Sequence, residues 1–138
     1  MFAKETHVLV VDDSLNIRRI VVDGLQRLGF SKITTAEDAN EALEKLAFFQ
    51  KTPQAVGLVL SDVNMPGPSG IEFLKKVRSM PETATLPFIL VTTESEKGSV
   101  IEAAMNGVSA YVVKPFNLET LSKRIGEAWK KHHPDAPG

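Results

Sequence analysis

Residues 7–14 read HVLVVDDS, a short apolar run that ends in two aspartates. Such a run is typical of a strand that is buried on both faces of a parallel sheet. Directly after it, the stretch from Leu15 to Leu28 places apolar side chains at a helical spacing and stops at Gly29. The beginning of the chain therefore predicts a strand–helix unit with acidic side chains at the carboxyl end of its strand.

The same pattern recurs along the rest of the chain. Further strands are predicted at 32–36, 57–61, 87–92 and 111–113, and further helices at 39–49, 69–80, 98–106 and 118–131. Because strand–helix–strand crossovers are right-handed, these units favour an α/β fold, (βα)5, in which a doubly wound five-stranded parallel sheet has helices on both faces. We expect a single domain over residues 1–138, with a core at 6–131 and a frayed tail at 132–138.

Composition excludes several classes of protein. The chain has no cysteine, which rules out disulfides, a Cys-ligated zinc site and a thiol nucleophile. Its net charge of −1 gives no overall basic bias, so direct binding of nucleic acid is not expected. The N-terminus lacks the pattern of a signal peptide, and no apolar run approaches the roughly 20 residues of a membrane span. We therefore expect a soluble, cytoplasmic protein that does not insert into a membrane.

Chemically active side chains follow four of the predicted strands: Asp12 and Asp13, then Asp62, then Thr92, then Lys114. Ligands of open parallel sheets bind at the carboxyl ends of the strands, so these side chains are expected to converge. Crowded carboxylates repel one another, and a hard divalent cation relieves the repulsion. Oxygen ligands favour Mg²⁺, with Mn²⁺ as the alternative ion. With a lysine and a hydroxyl nearby, the set predicts phosphoryl transfer to a carboxylate.

Each of these residues alone has a plainer interpretation. An aspartate or serine after a strand, such as Asp13 or Ser14, is typical of a helix N-cap. The pair Lys114–Pro115 is typical of a turn, and Thr92 is an ordinary strand residue. Only their succession at consecutive strand ends favours a shared site.

In these motifs the chain resembles the receiver domain of two-component response regulators. The resemblance rests on VLVVDDS, LSDVNMPGPSG, FILVTTE and YVVKPF, and it extends over residues 6–131. It implies the flavodoxin-like strand order 2-1-3-4-5. It also implies that Asp62 accepts a phosphoryl group from the phosphohistidine of a sensor histidine kinase.

The resemblance assigns a role to each site residue. The implied Mg²⁺ ligands are Asp12, Asp13, Asp62 and the backbone carbonyl of Asn64. Lys114 would pair with the acceptor carboxylate and then with a phosphoryl oxygen. Thr92 would hydrogen-bond the phosphoryl group, and Tyr111 would swing inward with it. The Lys114–Pro115 peptide bond is expected to be cis.

The output is expected to be a protein contact, because the sequence ends after the fifth predicted helix and the resemblance is to a stand-alone receiver, not an enzyme. The motifs DVNMP, with Asn64, and TTE, with Glu94, resemble the chemotaxis subclass. The implied contact face, on helix 4, strand 5 and helix 5, comprises Lys97, Val100, Ala104, Tyr111, Val113 and Arg124. Implied partners are a chemotaxis-type sensor histidine kinase, a flagellar motor switch protein and a phosphatase.

The sequence departs from the family pattern at three places. Residues 47–55 form a longer connection than compact chemotaxis regulators have, interpreted either as an added helical turn or as a partner contact. Thr93 stands where the family usually has alanine or glycine, which bears on the lifetime of the phosphorylated state. Ser69 replaces a common aspartate and is expected to cap the third helix.

Other functions compete with this interpretation. The protein could instead be a phosphorelay intermediate or a phosphate sink that makes no motor contact. A phosphatase of the haloacid dehalogenase type also forms an aspartyl phosphate, but it needs an acid two residues after the nucleophile, where this chain has Asn64. A flavodoxin-type electron carrier is disfavoured because Asp12 and Asp13 would repel the phosphate of a flavin.

Overall fold

The structure, a computed structural model, describes residues 1–93 and 97–134, apart from the side chains of Lys97 and Ser99. Within these residues, strands alternate with helices along the chain, as the sequence predicts. The strands are β1 (His7–Val11), β2 (Ile33–Ala36), β3 (Val56–Asp62), β4 (Phe88–Thr92) and β5 (Ala110–Val113). The helices are α1 (Leu15–Arg27), α2 (Ala39–Phe49), α3 (Gly70–Ser79), α4 (Lys97–Met105) and α5 (Leu118–His132).

The strands form one sheet in the order β2-β1-β3-β4-β5, and all neighbouring strands pair in parallel. This order confirms the doubly wound, flavodoxin-like topology. In the register of the sheet, Val11 lies beside Ser61, and Thr92 lies beside Val113. The residues that end or follow β1, β3, β4 and β5 therefore lie along a single edge of the sheet.

Two apolar cores hold the sheet between two layers of helices. On one face, α1 and α5 bury Val21, Leu25, Leu121, Ile125 and Ala128 against Val8, Val10, Leu58 and Leu60. On the other, α2, α3 and α4 bury Ala39, Leu46, Phe73, Leu74 and Ala103 against Leu9, Val11, Val59 and Leu90. Because successive residues of a strand point to opposite faces, β1 and β3 must be apolar almost throughout, which explains the runs in the sequence.

Four helices, α1, α2, α3 and α5, begin at capping side chains that accept hydrogen bonds from the first-turn amides. Ser14 caps α1, so the cap is Ser14 and not Asp13. Ser69 caps α3 and forms a capping box with Glu72, which confirms the expectation for this serine. Asn117 caps α5, and its side chain accepts a hydrogen bond from the Thr120 amide.

The predicted element bounds are close to the observed ones, with one difference that matters for function. β3 runs to Asp62 and not to residue 61, so the carboxylate stands on the last residue of a buried strand.

The connection after α2 corrects one interpretation. The helix ends at Phe49, and residues 50–54 form turns and not an added helical turn. The Gln50 side chain accepts a hydrogen bond from the Val56 amide at 2.6 Å and donates one to the Val56 carbonyl at 3.2 Å. These bonds satisfy the backbone at the start of β3, and Pro53 has no amide hydrogen to continue a helix.

The C-terminal boundary also differs from the prediction. His132 belongs to α5, and its Nε2 lies 2.6 Å from the hydroxyl of Ser109, the residue directly before β5. This contact holds the last turn of the helix against the sheet, so the predicted tail does not begin at residue 132. Residues 135–138 lie outside the described part of the chain.

Among the helices that the structure describes, none has both the length and the apolar content needed to cross a bilayer.

Candidate functional site

Three acidic side chains meet at the carboxyl edge of the sheet. Asp12 and Asp13 follow β1, Asp62 ends β3, and one carboxylate oxygen from each lies within 4.8 Å of the other two. The Nζ atom of Lys114 lies 3.2 Å from Asp62 Oδ1 and 3.6 Å from Asp12 Oδ2. The structure thus brings together residues that are as many as 102 positions apart in sequence (114 − 12).

Asp62 is fixed by its own strand. Its side chain is nearly buried, and Oδ1 accepts a hydrogen bond from the Val63 amide at 2.9 Å. The Val63 carbonyl in turn accepts a hydrogen bond from the Gly70 amide at 2.8 Å, which brings the start of α3 back to the end of β3. The Asp62 carboxylate therefore has little freedom to turn away from the edge.

Asp12 is held from several directions. Its amide donates to the Ala36 carbonyl at 3.1 Å, which extends the pairing of β1 with β2. Its Oδ1 accepts from the Ser14 amide at 2.9 Å. Asp12 is buried, whereas Asp13 is exposed. The pair therefore presents one fixed carboxylate and one solvent-facing carboxylate on the same turn.

Burial and the neighbouring charge of Asp12 both raise the pKa of the Asp62 carboxyl, and the Lys114 ammonium partly opposes them. The charged form of Asp62 is therefore less favoured than that of a free aspartate. A divalent cation among the three carboxylates would reverse this preference. The donors are oxygens only, as Mg²⁺ requires, and the exposed Asp13 leaves room for the waters that Mg²⁺ retains. The residues present fit this ion.

The last two strands supply the remaining predicted groups. Thr92 is fully buried at the end of β4, and its hydroxyl donates to the Thr93 carbonyl at 3.3 Å. The Lys114 amide donates to the Thr92 carbonyl at 2.6 Å, so the ends of β4 and β5 are joined beside the site. The Lys114–Pro115 peptide bond is cis, as the resemblance implies.

Two other predicted residues, Asn64 and Tyr111, are exposed. Asn64 is exposed two residues after Asp62, and the role of its carbonyl as a ligand stays a prediction. Tyr111 is 40% exposed, and the Arg124 guanidinium lies 5.9 Å from the centre of its ring. Glu94 and the side chain of Lys97 lie outside the described residues.

The predicted contact face lies on α4, β5 and α5. Ala104 is exposed, and Val100 and Val113 are half-buried. Two residues that the sequence analysis did not select, Ile101 and Met105, are 65% and 83% exposed on α4. These two side chains add exposed apolar surface to the helix that carries part of the predicted contact face.

Two residues near the site were not singled out from the sequence. The Arg18 guanidinium donates to the Asp12 carbonyl at 2.6 Å. Gly70 lies against the backbone of Asp62, where an added Cβ atom would stand 2.0 Å from the Asp62 carbonyl oxygen. The sequence offered two signals for these contacts: a basic residue one turn into the first helix, and a glycine directly after a serine cap. Both patterns are common in helices that make no such contacts.

We expect Gly70→Ala to destabilise the protein by about 3 kcal/mol, because the added methyl group meets backbone that cannot move without displacing Asp62. The matched control is Gly98→Ala in α4, where an added Cβ meets nothing within 4 Å. The control should gain about 0.5 kcal/mol from its higher helix propensity. Urea denaturation of both variants measures the difference, and equal stability of the two would contradict the close packing at Gly70.

Known proteins share both the sequence pattern and the fold. The family model described as the response regulator receiver domain matches residues 8–126. Chemotaxis protein CheY-3 of Vibrio cholerae serotype O1 is 37% identical over 128 residues, which cover 93% of this chain and 95% of the relative. Chemotaxis protein CheY1 of Helicobacter pylori is 41% identical over 118 residues, or 86% of this chain and 92% of the relative.

Solved structures agree with these relatives. The chemotaxis response regulator CheY4 of Vibrio cholerae superposes with a TM-score of 0.79 at 37% identity and covers 90% of this chain and 98% of its own. A response regulator receiver domain protein from Clostridium thermocellum gives a TM-score of 0.80 at 25% identity, with 94% and 98% covered. Since the match spans nearly the whole fold and includes the strand ends that carry the carboxylates, the chain belongs to the response regulator receiver domain family and is a CheY-like receiver.

Proposed function

We propose that Asp62 accepts a phosphoryl group from the phosphohistidine of a sensor histidine kinase, with Mg²⁺ held by Asp12, Asp13, Asp62 itself and the Asn64 carbonyl. The observation that carries the proposal is the position of the Asp62 carboxylate. It lies within 4.8 Å of two further carboxylates and 3.2 Å from the Lys114 ammonium. The Asp62 carboxylate as nucleophile, a cation site and the Lys114 ammonium are thereby combined at one edge of the sheet.

In the proposed step, an Asp62 carboxylate oxygen forms the new bond to phosphorus while the bond from phosphorus to the histidine nitrogen breaks. The imidazole leaves with the electron pair of that bond and takes up a proton. Lys114 is placed to pair with a phosphoryl oxygen once Asp62 carries the phosphoryl group as an acyl phosphate, and Thr92 offers a hydroxyl from β4. When bound, Mg²⁺ would neutralise the charge that accumulates on the phosphoryl oxygens.

The consequence of phosphorylation is proposed to be a change in protein binding. The added group carries about two negative charges at the edge where Lys114 pairs with Asp12 and Asp62. Thr92 ends β4 at this edge, and Tyr111 lies on β5, in the face formed by α4, β5 and α5 where Ile101 and Met105 expose apolar surface. Two relatives carry the name chemotaxis protein. We therefore propose a role in chemotaxis, in the cytoplasm, with a flagellar motor switch protein as the partner.

A receiver of this kind is a signalling protein and not a classical enzyme. The competing phosphatase function needs a general acid two residues after the nucleophile, and Asn64 cannot supply a proton from a carboxyl group. Sustained turnover of a generic phosphate ester by the purified protein would favour the phosphatase instead.

The test compares binding with and without beryllofluoride, which stands in for the phosphoryl group on Asp62. In the presence of Mg²⁺, we expect beryllofluoride to increase retention on an immobilised flagellar motor switch protein by roughly tenfold, a typical coupling between two sites. Asp23→Asn, a change in an exposed acid of α1, serves as the matched control and should respond like the wild type.

The outcomes separate the parts of the proposal. Equal retention with and without beryllofluoride would contradict the motor contact and favour a phosphorelay intermediate or a phosphate sink. If beryllofluoride with Mg²⁺ also left the thermal stability of the protein unchanged, the assignment of Asp62 as phosphoacceptor would be wrong.

A further inference from the structure

Arg18 makes an unusual contact for a residue of an amphipathic helix. It lies in the second turn of α1, and its own amide donates to the Ser14 carbonyl at 2.9 Å. Its guanidinium does not extend into solvent but turns back toward the start of the helix, with the side chain only 12% exposed. There Nη1 donates to the main-chain carbonyl of Asp12 at 2.6 Å.

The other end of the guanidinium reaches a neighbouring loop. Nη2 lies 3.8 Å from the Glu37 carboxylate, directly after β2. Glu37 is 72% exposed, so this ion pair contributes little energy by itself. It nevertheless orients the guanidinium between the loop after β1 and the loop after β2. Arg18 therefore joins the backbone that carries two of the acidic side chains to the adjacent strand end.

The positive charge of Arg18 would by itself weaken the binding of a metal ion, so charge attraction does not explain why an arginine lies here. A cation beside the Asp12–Asp13 turn repels a divalent ion and also lowers the repulsion among the carboxylates that the ion would relieve. Both effects weaken the binding of Mg²⁺. A nearly buried arginine at this position must therefore be accounted for by its hydrogen bond to the carbonyl, which fixes the turn.

We propose that Arg18 is a positioning residue that holds the turn of Asp12 to Ser14 in the conformation that presents both carboxylates to Mg²⁺. The inference rests on the metal binding proposed above and adds a residue that acts through the backbone. With the turn fixed, the Ser14 amide reaches Asp12 Oδ1 at 2.9 Å, and that carboxylate faces the site. Without Arg18, the Asp12 carbonyl loses its donor and the turn gains freedom that binding must then remove.

The experiment measures the affinity of the full chain for Mg²⁺ by isothermal titration calorimetry. We expect Arg18→Gln to weaken binding by about tenfold, as is typical for groups that orient metal ligands. Arg18→Lys keeps the charge and one donor and should recover part of the loss. Arg19→Gln is the matched control, because it removes the same charge from the next residue of α1, which is exposed.

A purely electrostatic role predicts the opposite sign, since both glutamine variants would then bind Mg²⁺ more tightly. Equal or tighter binding by Arg18→Gln would therefore overturn the proposal, provided that its circular dichroism matches the wild type. If Arg18→Gln does not fold, Arg18→Lys takes its place in the comparison. The proposal would then be overturned if Arg18→Lys bound Mg²⁺ as tightly as the wild type with the Ser14 amide equally protected from hydrogen exchange. It would also be overturned if Arg18→Lys lost only as much affinity for Mg²⁺ as Arg19→Gln.

A second measurement needs no metal and separates this inference from the proposed function. In EDTA, the Ser14 amide should exchange its hydrogen faster in Arg18→Gln than in the wild type, because the turn is released. Absence of Mg²⁺ binding by the wild type would contradict the proposed function and the inference together. Binding by the wild type, with unchanged exchange and affinity in Arg18→Gln, would contradict the inference alone.

Discussion

Asp62→Asn is expected to abolish the covalent labelling of the protein by acetyl phosphate in the presence of Mg²⁺. The amide is isosteric with the carboxylate but has no nucleophilic oxygen with a negative charge. Asp13 is exposed and lies close by, yet Lys114 contacts Asp62 and Asp12 and so directs the phosphoryl group away from it. Intact-protein mass spectrometry measures the result, with one phosphoryl group on the wild type and none on the variant.

Asp23→Asn provides the control for this experiment. Asp23 is an aspartate of α1 that pairs with Arg27 at 2.8 Å and lies on the exposed surface. Its replacement removes one carboxylate without touching the site, so labelling should equal that of the wild type. Labelling of Asp62→Asn at the wild-type level would move the phosphoacceptor to another residue and remove the basis of the proposed function.

The sequence is sufficient to predict the fold because the pattern is strong at each level. The apolar runs of β1 and β3 are too short for helices and lack the alternation of half-buried strands, so they indicate a parallel sheet between two helical layers. Ser69 and Asn117 mark helix starts by their side-chain chemistry alone. The order of the strands follows from the resemblance, since crossover rules leave several orders open.

The convergence of the acidic side chains is predictable for a related reason. The carboxyl ends of parallel strands must lie on one edge, so the sequence alone leads to the expectation that Asp12, Asp62 and Lys114 meet. What cannot be predicted depends on contacts between distant backbones. The close approach of Gly70 to Asp62 and the reach of Arg18 to the Asp12 carbonyl both follow from the three-dimensional packing and leave no periodic signal.

Two differences between prediction and structure have local causes. An added helical turn after α2 is one interpretation of the sequence, but the Gln50 side chain bonds both backbone groups of Val56 and the chain continues in turns. The polar neighbours of His132 favour a frayed tail. Its contact with Ser109, at 2.6 Å, depends on where β5 begins relative to α5. Side chains that satisfy distant backbone or hydroxyl groups are difficult to anticipate from a pattern of hydrophobicity.

Lys114→Met is expected to slow labelling by acetyl phosphate by about 100-fold at neutral pH, a typical cost of losing one group that stabilises developing charge. Methionine retains most of the length of the side chain but not the ammonium that lies 3.2 Å from Asp62. The matched control, Lys75→Met, removes an exposed ammonium that pairs with Glu102 at 2.9 Å between α3 and α4. That variant should be labelled at the wild-type rate.

The pH dependence of labelling distinguishes a specific effect on Asp62 from general damage to the site. Burial and the charge of Asp12 raise the pKa of Asp62, whereas Lys114 lowers it. Removal of the ammonium takes away the largest effect that lowers this pKa and leaves only the hydrogen bond from the Val63 amide against the two raising effects, so the carboxyl keeps its proton to a higher pH. Because only the deprotonated carboxylate attacks phosphorus, the half-maximal labelling rate of Lys114→Met should move to higher pH than in the wild type. Both proteins are measured at saturating Mg²⁺, so that the ion lowers the pKa of Asp62 in both and the comparison isolates the effect of the ammonium. A reduced rate with an unmoved profile would mean that Lys114 acts on the phosphoryl group without setting the protonation of Asp62, whereas a wild-type rate and profile would contradict its place in the site.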